Sequence, residues 1–353
     1  MRILFLLLFP LLMIACSTKE EAQKSNKKPI DQLTSGELDS LLKRYPDSVD
    51  LVIKRANMRL ANVFGANGYD PFIEDAARAF KLDSTRVAVR LLYAKALLNS
   101  PHKIAADKIN SKRIFQSVLV KDSTNVEAIV GMANHYGIDQ NVEEAFKYIN
   151  KALRINPKYR DAYVLKGSIY RMLENYTMML SSYETAISLD PKYLEGYFYI
   201  GSYYEWKKDP KCIEYYTSAY NLNPKDPDLI YPLAYANEKF SKEPEAMKYY
   251  REMAVADKSY FLAYFHLGSL KQFSYDDTDS AFYYYDLALK YQPNHVESLH
   301  NKGLLYEQLN DPTNALFTYA KALKINPDFA PTKQRVKELK GKTLRTVKWE
   351  NQR

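Results

Sequence analysis

Histidine and cysteine, two residue types that often bind metal ions or take part in catalysis, occur only five times and twice in this sequence. The histidines are His102, His135, His266, His295 and His300, and the last two are five residues apart, so they would point to different faces of a helix. There is no phosphate-binding loop, no dinucleotide-binding glycine run, no nucleophile elbow and no His-Glu-x-x-His pair. We therefore expect a protein that is not an enzyme and that uses no cofactor and no metal ion.

Cys16 directly follows the apolar run 3–15, which has a positive residue before it. The run is shorter than the roughly 20 apolar residues of a membrane-spanning helix, and its composition is typical of a signal peptide. It ends in Met-Ile-Ala before the cysteine, which resembles the lipobox of bacterial lipoproteins. The resemblance implies a signal peptide over 1–15, lipidation of Cys16 and a flexible tether over 16–33. The alternative is an ordinary secretory signal in which the cysteine is incidental.

The residues after the cysteine indicate where such a lipoprotein would reside. Ser17 stands where an aspartate would resemble an inner-membrane retention signal, so we expect a lipid anchor in the bacterial outer membrane. The segment 17–21 resembles the surface-export signal of Bacteroidetes lipoproteins. A surface-facing and a periplasmic orientation both stay open.

A segment similar to Asn/Asp-Pro-Lys-Tyr recurs along the chain at intervals of 33 to 35 residues, and its copies begin at Asn156, Asp190, Asn223, Asp257, Gln292 and Asn326. Each of the first five copies precedes a helical pattern with a small residue at its centre, namely Gly167, Gly201, Ala234, Gly268 and Gly303. A second helical pattern then carries a large residue, namely Tyr183, Tyr216, Tyr250, Tyr285 and Tyr319. Two helices approach to roughly 8–10 Å where small side chains face their crossing. We expect the large residue to fill the gap beside it.

This pattern resembles the tetratricopeptide repeat, and about eight units would occupy residues 46–327. The resemblance implies an all-α fold, an α-α superhelix in the form of a right-handed solenoid, with capping helices at both ends. Thr34 and Glu37 form a capping-box pattern, so we place the N-terminal capping helix at 34–45. The C-terminal capping helix and a basic tail are placed at 328–353.

In tetratricopeptide solenoids the first helix of each pair lines a concave groove. Carried onto this sequence, the groove positions predict a partner-binding site made of Phe198, Ser202, Glu205, Trp206, Tyr231, Tyr235, Glu238, Phe265 and Phe273. The groove would be aromatic and acidic, and aromatic side chains offer rigid contact area to a peptide or a helix. The alternative is that some of these aromatic residues pack between repeats.

The resemblance favours a scaffold or adaptor that binds proteins or peptides of the cell envelope and that meets the membrane through its N-terminal lipid. It does not favour chaperone-tail binding, which in the carboxylate clamp uses a lysine and an asparagine. The paired positions here hold Val130 and Asn134, Val164 and Ser168, and Phe198 and Ser202. A surface glycan- or nutrient-capture lipoprotein is the alternative function, since aromatic rings also stack on sugars.

The basic excess of the chain is concentrated at its C-terminus. The formal net charge is +8, and Lys333 to Arg353 contains eight basic and two acidic residues. We expect a capping helix over Ala330 to Leu339, followed by a solvated tail that could touch anionic lipid. Nucleic acid is not an expected partner of an exported lipoprotein.

Overall fold

The structure is a computed structural model that describes residues 28–61, 70–100, 104–224 and 226–350; the side chains of residue 61 and of residues 342–350 lie outside the description. Cys16, the predicted signal peptide and most of the tether also lie outside it. Within the described ranges the chain forms α-helices, one short 3₁₀ helix and no strand, which confirms the all-α prediction. None of the helices in these ranges has the length and apolar character that crossing a membrane requires.

The chain divides into two compact units, at Leu165 and Lys166. The first unit contains α1 (Ser35–Arg44), α2 (Val49–Ala61), α3 (Asp70–Leu82), α4 (Val87–Asn99), α5 (Ala105–Lys121), α6 (Val126–Ile138) and α7 (Val142–Ile155). The boundary lies within α8 (Arg160–Met172). The second unit contains α9 (Tyr176–Leu189), α10 (Leu194–Trp206), α11 (Lys211–Leu222), α12 (Pro227–Lys239), α13 (Glu243–Ala256), α14 (Phe261–Phe273), α15 (Thr278–Tyr291), α16 (Val296–Gln308), α17 (Pro312–Ile325) and α18 (Ala330–Glu350).

Helices α2 to α17 form pairs in chain order, which we number repeats 1 to 8. The two helices of a repeat pack against each other, as α10 does on α11 and α12 on α13. Within each unit, the second helix of one repeat then packs on the first helix of the next, as α5 does on α6 and α11 on α12. Each unit is therefore a series of helix pairs whose apolar faces are covered by their sequence neighbours.

The small and large residues of the repeat meet inside each pair of the second unit. Tyr183, Tyr250, Tyr285 and Tyr319 are fully buried, and Tyr216 is 2% exposed. A Cβ atom added to Gly303 would lie 2.3 Å from the Tyr319 ring, and one added to Gly201 would lie 2.8 Å from the Tyr216 ring. At Gly201 and Gly303 the tyrosine ring occupies the space of a side chain, so the expected packing of a small residue against a large one at the helix crossings is confirmed.

The recurrent Asn/Asp segment acts as a turn that links one repeat to the next. The Asn156 carboxamide oxygen accepts a hydrogen bond from the backbone N–H of Lys158 (3.0 Å), and the Asp190 carboxylate accepts one from Lys192 (3.1 Å). Such side-chain turns compete with helix continuation and end the second helix. The turns inside six repeats share a left-handed residue, at Gln140, Glu174, Lys208, Ser241, Asp276 and Asn310.

Both ends of the array carry the capping helices that the sequence predicts. At the N-terminus, the Thr34 backbone N–H donates to the Glu37 carboxylate (2.7 Å) and the Glu37 N–H donates to the Thr34 hydroxyl (3.4 Å), so the capping box is present. At the C-terminus, Val336 and Leu339 of α18 pack against the core around Tyr319. Helix α18 continues beyond the expected end at Leu339 because no proline interrupts the following residues.

Candidate functional site

The acidic residues predicted to line the groove are hydrogen-bonded to the buried tyrosines of their own repeats. The Tyr216 hydroxyl donates to Glu205 (2.7 Å), and the Tyr250 hydroxyl donates to Glu238 (2.6 Å). Repeats 7 and 8 place Gln272 and Glu307 in the same role, toward Tyr285 and Tyr319. Burial, together with the nearby carboxylates, raises the pKa of Tyr216 and Tyr250, so these hydroxyls keep their protons. Glu205 therefore links the two helices of repeat 5, and Glu238 links the two helices of repeat 6. Both side chains are also partly exposed to solvent.

Four of the predicted groove residues come together around His266, which was not itself among the predicted groove residues. Nε2 of His266 lies 3.3 Å from the Tyr231 hydroxyl, and Nδ1 lies 2.9 Å from the Glu238 carboxylate. The imidazole stacks on the Tyr250 ring at 4.8 Å and contacts the rings of Tyr235 and Phe265. We call Tyr231, Tyr235 and Phe265, with His266 between them, the aromatic cluster.

The aromatic cluster joins two neighbouring repeats on the side formed by their first helices, α12 and α14. Its three large rings are half-buried, whereas His266 is 8% exposed. Burial and the neighbouring Tyr235 raise the pKa of Tyr231 to about 12, so its hydroxyl is neutral near pH 7 and can donate or accept a hydrogen bond. The cluster thus presents aromatic surface whose rings are held in place by mutual contacts.

One irregularity lies within the cluster. Pro232 is inside α12, between Tyr231 and Tyr235. It has no N–H to donate to the carbonyl of Asp228, and a proline at such a position usually bends the helix. This proline was visible in the sequence, but the repeat pattern alone did not single out its position.

Phe198, also predicted to line the groove, packs between repeats 5 and 6, whereas Ser202 is hydrogen-bonded within repeat 5. The Phe198 ring lies 5.8 Å from the Tyr216 ring and packs against the core that contains Cys212 and Leu233. The Ser202 hydroxyl donates to the Phe198 carbonyl at 2.9 Å. Phe265 also packs against a core between repeats, while it contacts His266.

Trp206 and Phe273 are the most exposed of the predicted residues, at 59% and 60%. Trp206 does not join the ring contacts of the aromatic cluster in the described part of the chain. Instead its ring lies 5.0 Å from Tyr176 and 6.0 Å from Tyr203, and the Lys207 ammonium lies 4.4 Å above it. We call Tyr176, Tyr203 and Trp206 the Trp206 triad. Sequence reasoning missed Tyr176 because it begins a second helix, outside the groove positions.

The residues with potential reactivity are placed for packing. Burial raises the pKa of the Cys212 thiol to about 11 and lowers the pKa of His135 to about 4. The imidazole of His135 lies 3.1 Å from the Ser111 hydroxyl, which itself donates to the Ala94 carbonyl. Within the described ranges, no three histidine, cysteine or acidic side chains are grouped so that they could hold a metal ion.

Comparison with known proteins supports the repeat assignment. Two family models, both described as tetratricopeptide repeat, match residues 161–193 and 296–329. No curated protein matches the sequence.

Among solved structures, the chain is similar to the C-terminal part of a TPR repeat-containing protein from Cytophaga hutchinsonii, at 18% identity and a TM-score of 0.57. That match covers 69% of this chain and 98% of the other. It is also similar to a chain of the APC/C hetero-tetramer Cut9-Hcn1, at 16% identity and a TM-score of 0.55, over 88% of this chain. There the match spans only 61% of the other chain's length. The described chain therefore has the all-α tetratricopeptide solenoid fold, a fold generally used to bind other proteins and not to catalyse reactions.

Proposed function

We propose that this protein is a non-catalytic scaffold that binds partner proteins or peptides of the bacterial cell envelope through the aromatic cluster. The observation that carries the proposal is that Tyr231, Tyr235 and Phe265 keep part of their surface in solvent while His266 fixes their positions. Rings that are already ordered lose little conformational entropy when a partner covers them. Tyrosine is also common among the residues that contribute most to binding energy.

The acids beside the cluster favour a partner segment that carries positive charge. Glu238 is next to His266, and Glu205 lies 3.8 Å from the Lys239 ammonium of the following repeat. Each carboxylate accepts a hydrogen bond from a buried tyrosine, which keeps it oriented. An arginine or lysine of a partner could share these carboxylates while its neighbouring apolar side chain covers Tyr235.

Partner capture with purified protein variants tests the role of the cluster. Tyr235→Ala removes a half-buried ring, and Tyr283→Ala removes a tyrosine that is 61% exposed on the second helix α15. We expect the first substitution to weaken capture of envelope proteins at least tenfold and the second to leave it unchanged, with equal helicity by circular dichroism. Equal capture by both variants would contradict a binding role for the cluster.

We propose further that Cys16 carries the lipid that anchors the scaffold in the outer membrane, facing either the periplasm or the exterior. The support is the lipobox-like sequence before Cys16 and the apolar run 3–15. Two or three acyl chains are sufficient for stable anchoring. The Cys16→Ser variant should lose incorporation of labelled palmitate and leave the outer-membrane fraction. Unchanged fractionation would contradict the anchor, and protease treatment of intact cells would distinguish the two orientations.

A second candidate function, capture of surface glycans, is favoured by the Trp206 triad. An exposed indole supported by two tyrosine rings is the kind of platform on which a sugar ring stacks. Binding to a glycan array that disappears in Trp206→Ala but persists in Tyr235→Ala would support this function. If the wild-type protein binds none of the sugars on the array, glycan capture is excluded for those sugars.

A further inference from the structure

A groove of about 720 Å³ lies on repeat 6, and none of its lining residues belongs to the aromatic cluster. It is formed where the end of α11, the start of α12 and one face of α13 meet. The lining residues are Tyr220, Pro224, Ile230, Lys248, Arg251, Glu252, Val255 and Ala256.

Helix α13 contributes a continuous stripe to this groove. Lys248, Arg251, Glu252 and Val255 recur at intervals of three and four residues, which places them on the same face of the helix. Val255 is 80% exposed, although valine gains free energy when it is covered. Ile230, which also lines the groove, is 1% exposed and belongs to the core of repeats 6 and 7. The apolar surface that the groove offers to a ligand therefore comes from Val255, together with the exposed Pro224 and Ala256.

Among the charged side chains at the rim of the groove, the Arg251 guanidinium is available to bind a ligand. The Glu252 carboxylate accepts a hydrogen bond from the Tyr220 hydroxyl (2.8 Å) and lies 3.9 Å from the Lys248 ammonium. Arg251 is exposed, and no ion pair among the described residues includes it. A guanidinium can bind a carboxylate through two parallel hydrogen bonds. The rim thus favours a ligand with negative charge.

Comparison of the repeats with one another indicates that this surface is not required for packing. At the position of Arg251, the other second helices carry Ala77, Gln116, Asn150, Glu184, Thr217, Asp286 and Ala320. At the position of Val255, they carry Lys81, Val120, Arg154, Ser188, Asn221, Lys290 and Lys324. Only α13 combines an arginine with an exposed valine one helical turn away.

We propose that this groove binds a peptide segment of a partner protein that carries an aliphatic side chain next to a carboxylate. The aliphatic side chain covers Val255 and the neighbouring Pro224, and the carboxylate pairs with Arg251. The aromatic cluster, with Glu238 beside it, favours positive charge. Two surfaces of one scaffold would then take partner segments of opposite charge.

Selection from a random peptide library displayed on phage, with the Cys16→Ser protein as target, tests this proposal. We expect recovered peptides that combine acidic and aliphatic residues. Their affinity, measured by fluorescence anisotropy, should weaken about tenfold or more in Arg251→Ala and in Val255→Lys. Lys324→Ala, at the position equivalent to Val255 in α17, is the matched control and should bind like the parent protein. Circular dichroism checks that each variant keeps its helicity.

Failure to recover any acidic-aliphatic peptide whose binding depends on Arg251 would overturn the proposal. A fluorescent fatty acid, which also joins an apolar chain to a carboxylate, serves as the second probe. If binding of the fatty acid depends on Arg251 and no selected peptide displaces it, the occupant is a lipid and the peptide assignment is wrong. Tyr235→Ala should leave peptide binding at this groove unchanged, so this result is independent of the proposed function of the aromatic cluster.

Discussion

Replacement of Gly303 by alanine should destabilise the second unit, because the Tyr319 ring occupies the space of the new methyl group. The added Cβ would lie 2.3 Å from Cε1 and 2.6 Å from Cδ1 of that ring. Contacts between carbon atoms are most favourable at roughly 3.5–4.0 Å, so the ring or the helix must move by about 1 Å. The ring cannot move freely, because its hydroxyl donates to Glu307 at 2.6 Å and Arg335 pairs with the same carboxylate.

The expected change in the free energy of unfolding combines two losses and one gain. Overpacking a well-packed core costs about 1–3 kcal/mol, and displacement of the tyrosine adds the loss of a hydrogen bond to a charged group, about 1.5–3 kcal/mol. Alanine in place of a helical glycine recovers about 1 kcal/mol through its higher helix propensity. We expect Gly303→Ala to lower the free energy of unfolding by about 3 kcal/mol.

Urea denaturation followed by circular dichroism measures this change against two matched substitutions. Gly341→Ala is made in α18, where nothing lies within 4 Å of an added Cβ, so it should be neutral or stabilising by up to about 1 kcal/mol. Gly167→Ala, whose Cβ would lie 3.0 Å from the Tyr183 ring, should fall between the two. Equal stability of the Gly303 and Gly341 variants would refute the packing argument.

Three further predictions concern buried polar groups. Asp75, 2% exposed, pairs with two arginines, so Asp75→Ala should cost about 3 kcal/mol or more, and an unchanged urea midpoint would contradict the pairing. Because burial lowers the pKa of His135 to about 4, the unfolded chain binds a proton that the folded chain does not; stability should fall as the pH drops from 6.5 to about 4, and His135→Gln should flatten this part of the profile. An unaltered profile would assign the acid sensitivity to other groups. Since burial raises the pKa of Cys212 to about 11, a thiol reagent at neutral pH should label a Cys16→Ser protein only after unfolding, and rapid labelling of the folded protein would exclude a buried thiol.

The helix pairs could be predicted because their packing depends on residue size at fixed intervals. Gly201 and Tyr216 have counterparts of similar size at the same places in neighbouring repeats. The turns between repeats could also be predicted, since an asparagine or aspartate side chain accepts a hydrogen bond from the backbone N–H only two residues away. Local and repeated interactions of this kind leave few alternatives.

The candidate site was less predictable, because its contacts depend on which neighbour each side-chain tip meets. Helix position alone placed Trp206 with Tyr231, whereas the indole turns toward Tyr176 of the preceding repeat. The same reasoning placed Glu238 in the groove and did not foresee its hydrogen bond from the Tyr250 hydroxyl. His266 was considered only as a possible metal ligand or reactive group, because it stands one residue beyond a groove position, although its ring joins α12 to α14.

Site-specific photocrosslinking in intact cells tests most directly whether the aromatic cluster is a binding surface. A photoreactive phenylalanine analogue replaces Tyr235 in one protein and Tyr283 in another, so that both probes lie on the same unit. If the cluster binds an envelope partner, the probe at Tyr235 should give a discrete crosslinked species that excess protein competes away, and the probe at Tyr283 should not. No crosslink at Tyr235, or the same species from both positions, would contradict the account.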